Sequence, residues 1–315
     1  MKIIAQSSIQ AILDSKDFTK DIEGSFVAFS NGHAIIPPVA ELLMDKGETH
    51  IKYGFIKEQP YFVIKVASGF YQNPQIGLSS SQGVVILFSL ETGEPVAFLQ
   101  DGGILTNYRT AYAGAIAAKY LAPTGIQAIG IIGSGIQAQL QAQMIAAQTG
   151  CNHVMLWARN SNNAKRCAEA LASSGLQVEL VDSVSRVAEA SQIIVTTTPS
   201  EQPLIKPGDL SGAKLIIAVG SDTAEKQELD TNILLDARLI TDSRAQATLR
   251  GELSHLLKIS PEHSTSVSEL GEIIAGKTNL DTGYEGITVV DLTGIATQDL
   301  AIAQGILNAA LENSE

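Results

Sequence analysis

Between Ile126 and Leu292 the chain alternates short apolar runs with Ala-rich or charged amphipathic stretches. The runs are IQAIGIIG, HVMLWAR, LQVELVD, QIIVTTT, KLIIAVG, RLITDS and ITVVDL. They are rich in Val and Ile and show little polar alternation, as expected of strands covered on both faces. The pattern predicts a parallel sheet between two layers of helices, a doubly wound α/β domain. Upstream the period changes. Residues 5–31 read as one or two helices, and ETHIKYGFI, YFVIKVASGF, GVVILFSL and EPVAFLQDG follow as alternating strands, the last two joined by a hairpin turn at Glu91-Thr92-Gly93-Glu94. This part predicts an α+β domain with an antiparallel or mixed sheet. Thr106–Leu121 is an Ala-rich helix closed by Pro123 and Gly125, placed as a hinge, and Thr297–Leu311 is an amphipathic helix able to pack back onto the first domain.

Composition narrows the function more than the fold. A chain of 315 residues suits two domains, and 45% hydrophobic with 17% charged residues is an ordinary globular balance. The net charge of −12, without a dense Lys/Arg run, argues against a general nucleic-acid binder while leaving room for small anions in local basic clefts. No window approaches a membrane span, and MKIIAQSSIQAILDSKDF lacks the continuous apolar core of a signal peptide. Two cysteines, Cys151 and Cys167, cannot build a disulfide framework, so a reducing, cytoplasmic setting is expected. The histidines are scattered, with no HxxxH or CxxC spacing, and no metal is expected.

The clearest chemical signal is Gly133-Ser134-Gly135-Ile136-Gln137-Ala138, a GxGxxA motif between a buried strand and a long helix. The first glycine permits a tight turn, the second lets backbone N–H groups reach a pyrophosphate, and Ala138 allows close helix packing. In register with a complete αβ alternation, the motif predicts a dinucleotide site. The second strand should end where the ribose is read. There the chain has Arg159-Asn160-Ser161 instead of the acid that accepts from a 2′-hydroxyl, so NADP(H) is favoured over NAD(H). The plainer alternative is an exposed Arg159 touching only adenine.

Two further strand ends carry reactive groups. One finishes in Thr196-Thr197-Thr198-Pro199, the other in Val219-Gly220-Ser221-Asp222. Asp222 reads equally well as a group facing a substrate nitrogen and as the cap of a following helix, because Asp222-Thr223-Ala224-Glu225 has capping-box spacing. In the first domain Lys65 stands inside an apolar run, Lys52 and His50 share one strand face, and Arg109 opens a helix lined with alanines. Each cation alone is more often structural than catalytic.

Read together, GEPVAFLQDGGILTNYRTAYAGAIAAKYLA, IGIIGSGIQAQ, IIVTTTPS and IIAVGSDTAEKQELD resemble the ornithine cyclodeaminase and mu-crystallin family, over about Pro37 to Ala303. The resemblance implies a Rossmann doubly wound sheet at 123–296. It also implies a second α+β domain, for substrate binding and dimerisation, formed from both chain ends (1–122, completed by 297–315). It places Lys65 and Arg109 on the substrate carboxylate and Asp222 at the reacting nitrogen. Gly133, Gly135, Gln137 and Ala138 fall in the cofactor loop, with Thr197 and Thr198 beside the nicotinamide. Ser134, Ile136, Val219, Gly220 and Ser221 complete the expected cofactor contacts.

Two positions depart from the cyclodeaminases. Pro37-Pro38 is followed by Val39 instead of Arg, and Lys52 stands where those enzymes have Glu, thirteen positions before the family Lys. A cation there resembles the alanine dehydrogenase and ketimine reductase branches and supplies a third carboxylate contact. The implied activity is NAD(P)H-dependent reduction of a cyclic ketimine carboxylate by a homodimer. The alternatives are ornithine cyclodeamination, oxidative deamination of alanine, an opine-type reduction, and a mu-crystallin-like binding protein without catalysis.

Overall fold

The computed structural model describes residues 1–278, 280–281 and 283–313. The chain folds as α/β and divides into two compact units, Met1–Arg109 with the segment from Ile295 onward, and Thr110–Gly294. The first unit opens with β1 (Lys2–Ile4), α1 (Gln6–Ser15) and α2 (Thr19–Ser30). Then come β2 (Ala34–Ile35), β3 (Ala40–Met44), β4 (Gly47–Ile56), β5 (Tyr61–Gly69), β6 (Ser81–Ser89) and β7 (Pro95–Leu99). They form a mixed sheet in the order β1-β7-β6-β5-β4-β2, with β3 also paired to β4. All pairs are antiparallel except β1 with β7. The alternation in sequence becomes two unequal faces. His50, Lys52, Val63, Lys65, Val85 and Leu87 point to the buried side. Phe55, Phe62, Ile64, Ile86, Phe88 and Phe98 point to the other, where they are only half-buried. There Phe62 and Phe88 stack with ring centroids 4.8 Å apart.

Helix α3 (Ile104–Leu121) carries the division between the units, after Arg109. The second unit continues with β8 (Ile129–Ile132), α4 (Ile136–Thr149), β9 (His153–Trp157), α5 (Ser161–Ser173), β10 (Gln177–Leu180), α6 (Val184–Ala190) and β11 (Ile193–Thr196). It is completed by β12 (Leu215–Ala218), α7 (Thr231–Leu235), β13 (Arg238–Thr241), α8 (Arg244–Ala247), α9 (Glu252–Ile259), β14 (Ser268–Glu269), α10 (Leu270–Ile274) and β15 (Thr288–Asp291). These strands pair in parallel in the order β10-β9-β8-β11-β12-β15-β13-β14. The order reverses direction between β8 and β11, which is where ligands bind in open sheets of this kind. β8, β11, β12 and β15 are buried along their whole length, matching their unalternating sequences.

The last helix, α11 (Ala296–Glu312), belongs to the first unit and lies over β4, β5 and β6, with α1 and α2 packed against it. Gly305 makes that packing possible, since a Cβ there would sit 2.5 Å from the Phe18 ring. Among the described residues no helix is long and apolar enough to cross a membrane.

Candidate active site

The antiparallel register of β4 and β5 sets Lys52 directly opposite Lys65 on the buried face. Facing ammonium groups repel, and burial removes the water that would screen them. The compensation comes from α11, a helix the sequence marks only as amphipathic. Its Asp299 is 2% exposed, and Lys65 Nζ donates to Asp299 Oδ1 at 2.9 Å. Arg109 places Nε 3.2 Å from the same oxygen, and its Nη1 donates to Gln298 Oε1 at 3.2 Å. Lys52, Lys65 and Arg109, separate in sequence, are thus gathered around one carboxylate. His50 shares their strand face but is directed to acids of its own, with Nδ1 3.2 Å from Glu41.

The electrostatics of this cluster follow from burial and charge. Burial pushes the Lys65 ammonium below its ordinary range; Asp299 opposes that push and Arg109 adds to it. Burial would raise Asp299, but Lys65, Arg109 and Lys52 outweigh it and hold the carboxyl below its usual value. Asp101, the second acid nearby, is raised by burial although the N–H groups of Leu105 and Gly103 oppose this. Lys65 and Arg109 both direct their charge at Asp299 Oδ1. Among the described residues Gln298 Nε2 is buried without a hydrogen-bond acceptor, and Asp299 Oδ2 and Asp101 Oδ1 without a donor. Buried cations gathered in this way, with an amide donor beside them, suit a carboxylate.

In the second unit the expected cofactor segments occupy the carboxyl ends of four strands adjacent in the sheet, β9, β8, β11 and β12. Gly133 adopts φ +129°, and a Cβ there would collide with the Thr197 hydroxyl, which itself donates to Ile132 O at 3.1 Å. Gly135 caps α4 in an extended conformation, with nothing within 4 Å of the position its Cβ would take. Ser134 and Gln137 are half-buried, Ile136 is exposed, Ala138 is buried, and the first turn of α4 carries no acid. Open space above helix-terminal N–H groups fits a pyrophosphate.

Arg159 and Ser161 are exposed beyond β9, whereas the Asn160 side chain caps α5 by accepting from Asn163 N at 3.0 Å. After β11 the Thr198 hydroxyl donates to Glu228, and after β12 the Ser221 hydroxyl donates to Lys226 O, so both are engaged by the protein. Val219 is buried and Gly220 half-buried beside them.

No helix follows Asp222, so its capping-box spacing has no helix to cap. Its carboxylate is partly exposed and accepts from Lys226 Nζ at 2.8 Å, while Arg250 Nη1 donates to its backbone oxygen at 3.1 Å. Around this segment lies a group of buried acids. Glu252 accepts from the Glu228 N–H, and Asp291 Oδ2 accepts from the Leu253 N–H at 2.9 Å. Burial pushes Glu228 up to about 7 and Asp291 up to about 8, against the N–H groups that bond them.

The family model for the ornithine cyclodeaminase/mu-crystallin family matches residues 1–314. The chain belongs to this family. The iminosuccinate reductase of Paracoccus denitrificans is 32% identical over 314 residues, covering 98% of this chain and 97% of that protein. Its crystal structure in complex with NAD+ superposes with a TM-score of 0.90 at 31% identity, covering 100% of this chain and 97% of that one. The alanine dehydrogenase of Archaeoglobus fulgidus is 31% identical over 319 residues, or 99% and 96% of the two chains. The Thermococcus litoralis Δ1-pyrroline-2-carboxylate reductase, solved with NADH and L-proline, gives a TM-score of 0.93 at 26% identity, covering 100% and 98%. This member of the family is accordingly a nicotinamide-dependent oxidoreductase.

Sequence reasoning passed over Asp299, Gln298, Lys226, Glu228, Glu252 and Asp291. Asp299 had a signal: it shares a helical face with Ile302, Ala303 and Ile306, so an acid stood on an apolar stripe. Asp291 had one as well, an acid inside the apolar run ITVVDL, whereas Glu228 and Glu252 had none because they sit in mixed polar segments that read as solvated loops.

The raised acids set a pH dependence. A carboxyl held neutral in the folded state contributes stability fully present below its unfolded value, roughly pH 4, and lost as pH rises through the folded one. For Asp291 the folded value is about 8, so the melting temperature should fall between pH 5 and pH 9. Asp291→Asn, which stays neutral, should show a shallower fall; identical slopes in thermal melts of the two proteins would contradict this account.

Proposed function

We propose that the protein reduces a cyclic ketimine carboxylate, such as pyrroline-2-carboxylate or piperideine-2-carboxylate, to the cyclic amino acid. The observation that carries the reading is the gathering of buried Lys52, Lys65 and Arg109 around Asp299, with Gln298 Nε2 left without an acceptor among the described residues. Lys65 and Arg109 hold the substrate carboxylate, Lys52 adds a third cation, and Gln298 Nε2 adds a neutral donor. Such a cluster binds a carboxylate in one orientation, which fixes the neighbouring carbon for reaction. Asp222, held by Lys226, is the acid assigned to the imine nitrogen, whose protonated, iminium form it favours. When bound, the nicotinamide supplies the hydride. The carbon beside the carboxylate receives it, and the proton already on nitrogen leaves a neutral amine.

Gly133, Ser134, Gly135, Ile136, Gln137 and Ala138 would hold the dinucleotide, and Thr197, Thr198, Val219, Gly220 and Ser221 would line its nicotinamide half. NADPH is preferred to NADH because Arg159 and Ser161 stand exposed, without an acid, where the ribose is read. Lys52 in place of a Glu speaks against ornithine cyclodeamination, since the position carries the wrong charge for it. The presence of three buried cations favours one second reading, an acyclic imine with two carboxylates, which is the substrate class in the name of the Paracoccus relative. The half-buried aromatic face of the first sheet supports a homodimer formed through that face. Sedimentation should therefore give twice the 33.3 kDa chain mass.

Cofactor oxidation against a panel of cyclic ketimines, iminosuccinate, imines of pyruvate, and ornithine tests the assignment. Turnover should be fastest with a cyclic ketimine, and efficient conversion of ornithine to proline would overturn it. Lys65→Met and Arg109→Met should abolish most turnover with cofactor affinity near normal, whereas insoluble protein from both variants would speak for a purely structural cluster. Asp222→Asn should lower kcat by roughly 10²-fold, the scale of a deleted preorganised partner, and an unimpaired variant would remove Asp222 from the mechanism. Arg159→Ala should weaken NADPH by about tenfold and NADH hardly at all, near the low end for a charge-assisted contact because Arg159 is exposed and screened. Equal losses for both cofactors would remove the NADP(H) preference.

A further inference from the structure

The proposed mechanism leaves Glu228 without a task, although it is fully buried and its carboxylate is fully engaged. Oε1 accepts from the Thr198 backbone N–H at 2.6 Å and from the Thr198 hydroxyl at 2.8 Å. Oε2 accepts from the Gly220 N–H at 2.9 Å. Thr198 lies two residues beyond β11 and Gly220 two beyond β12, so one side chain ties together the loops that leave two neighbouring strands. The backbone ladder has nearly ended here, its last bonds running from the Val219 and Gly220 N–H groups to Thr196 O.

Two features show that the spacing of these loops is fixed closely. A Cβ at Gly220 would collide with the Thr198 backbone and come within 2.6 Å of Glu228 Oε2. Behind the clamp, Glu252 receives the N–H groups of both Glu228 and Leu229, at 2.6 and 3.2 Å, so the segment that carries the clamping carboxylate is itself anchored. Burying a carboxyl is costly even when it is well bonded, and two loops that merely passed each other would not need it.

We propose that Glu228 is a positioning residue: by bridging Thr198 and Gly220 it fixes the wall against which the nicotinamide half of the cofactor lies. The inference rests on the assignment of these two loops to the nicotinamide half in the proposed function. It predicts a selective effect. The adenine half is held elsewhere, by the Gly133 turn and the segment after β9, and should not sense the clamp.

Two variants probe it. Glu228→Gln keeps the shape but turns one acceptor into a donor facing an N–H group, and Glu228→Asp keeps the buried carboxyl but shortens its reach by one methylene. Binding of NADPH and NADH is compared by calorimetry with binding of ADP-ribose and its 2′-phosphate, which lack nicotinamide. Both variants should bind the fragments within about twofold of wild type, while the Kd of the whole cofactors rises about tenfold, the scale of one lost hydrogen bond to a charged group. kcat should fall as well, with the KM of the ketimine little changed. Equal weakening of cofactors and fragments, or no change in either, would overturn the proposal and leave the cofactor assignment standing. Wild-type protein that binds neither cofactor nor fragment would overturn the cofactor assignment itself, and the proposal with it. If Glu228→Gln does not fold, Glu228→Asp alone gives the same reading.

Discussion

Three buried cations around a single ionised aspartate dominate the first unit. Lys52 and Lys65 are forced onto facing positions by the register of β4 and β5, and Arg109 enters from α3. Left alone, such a group would be among the least favourable arrangements a protein interior can hold. Asp299 makes it tolerable by pairing with Lys65 and Arg109, and the helix that carries Asp299 comes from the far end of the chain. Hence the first unit is discontinuous in sequence for an electrostatic reason as well as a packing one.

The second unit meets a different constraint. Its strand ends carry the glycine turn at Gly133 and the loops of Thr198 and Gly220, and the backbone there is close-set. Gly133 and Gly220 provide the close approach, since neither position has room for a Cβ. Rigidity comes from buried carboxyls that receive backbone N–H groups, Glu228 from Thr198 and Gly220, Glu252 from Glu228, and Asp291 from Leu253. Burial raises all three, and for Glu252 and Asp291 neighbouring acids add to it. The two units therefore use buried charge differently: one gathers cations around Asp299, the other uses buried carboxyls to hold loops.

Much of this was legible in the sequence, and the rest has identifiable reasons for being hidden. Unbroken Val/Ile runs gave the parallel sheet because a strand covered on both faces has no polar positions to alternate. The GxGxxA turn was legible because only glycine tolerates the backbone at position 133. Lys65 stood out as a charge inside an apolar strand, and the resemblance to the family paired it with Arg109. Its actual counter-ion, Asp299, lies 234 residues away in sequence, and no local pattern joins the two. The apolar outer face of the first sheet was obscured for a related reason. Apart from Lys65, the buried residues that alternate with Phe62, Ile64, Ile86 and Phe88 are apolar as well, Val63, Val85 and Leu87, so periodicity could not tell a covered face from an open one. Asp222 was ambiguous because a capping box and an exposed acid share the same letters, and only the absence of a helix after it separates them.

The account depends on the first unit recognising a carboxylate by charge. The most direct measurement compares kcat/KM for a cyclic ketimine carboxylate with that for the corresponding carboxamide, which has nearly the same shape and no charge. Loss of two charge-assisted hydrogen bonds, each contributing about 1.5–3 kcal/mol, should reduce kcat/KM for the carboxamide by at least about 10²-fold. The same comparison in Lys65→Met should show a much smaller difference between the two substrates. Comparable kcat/KM for carboxylate and carboxamide in the wild-type enzyme would contradict the account, because the buried cations would then have no substrate anion to meet.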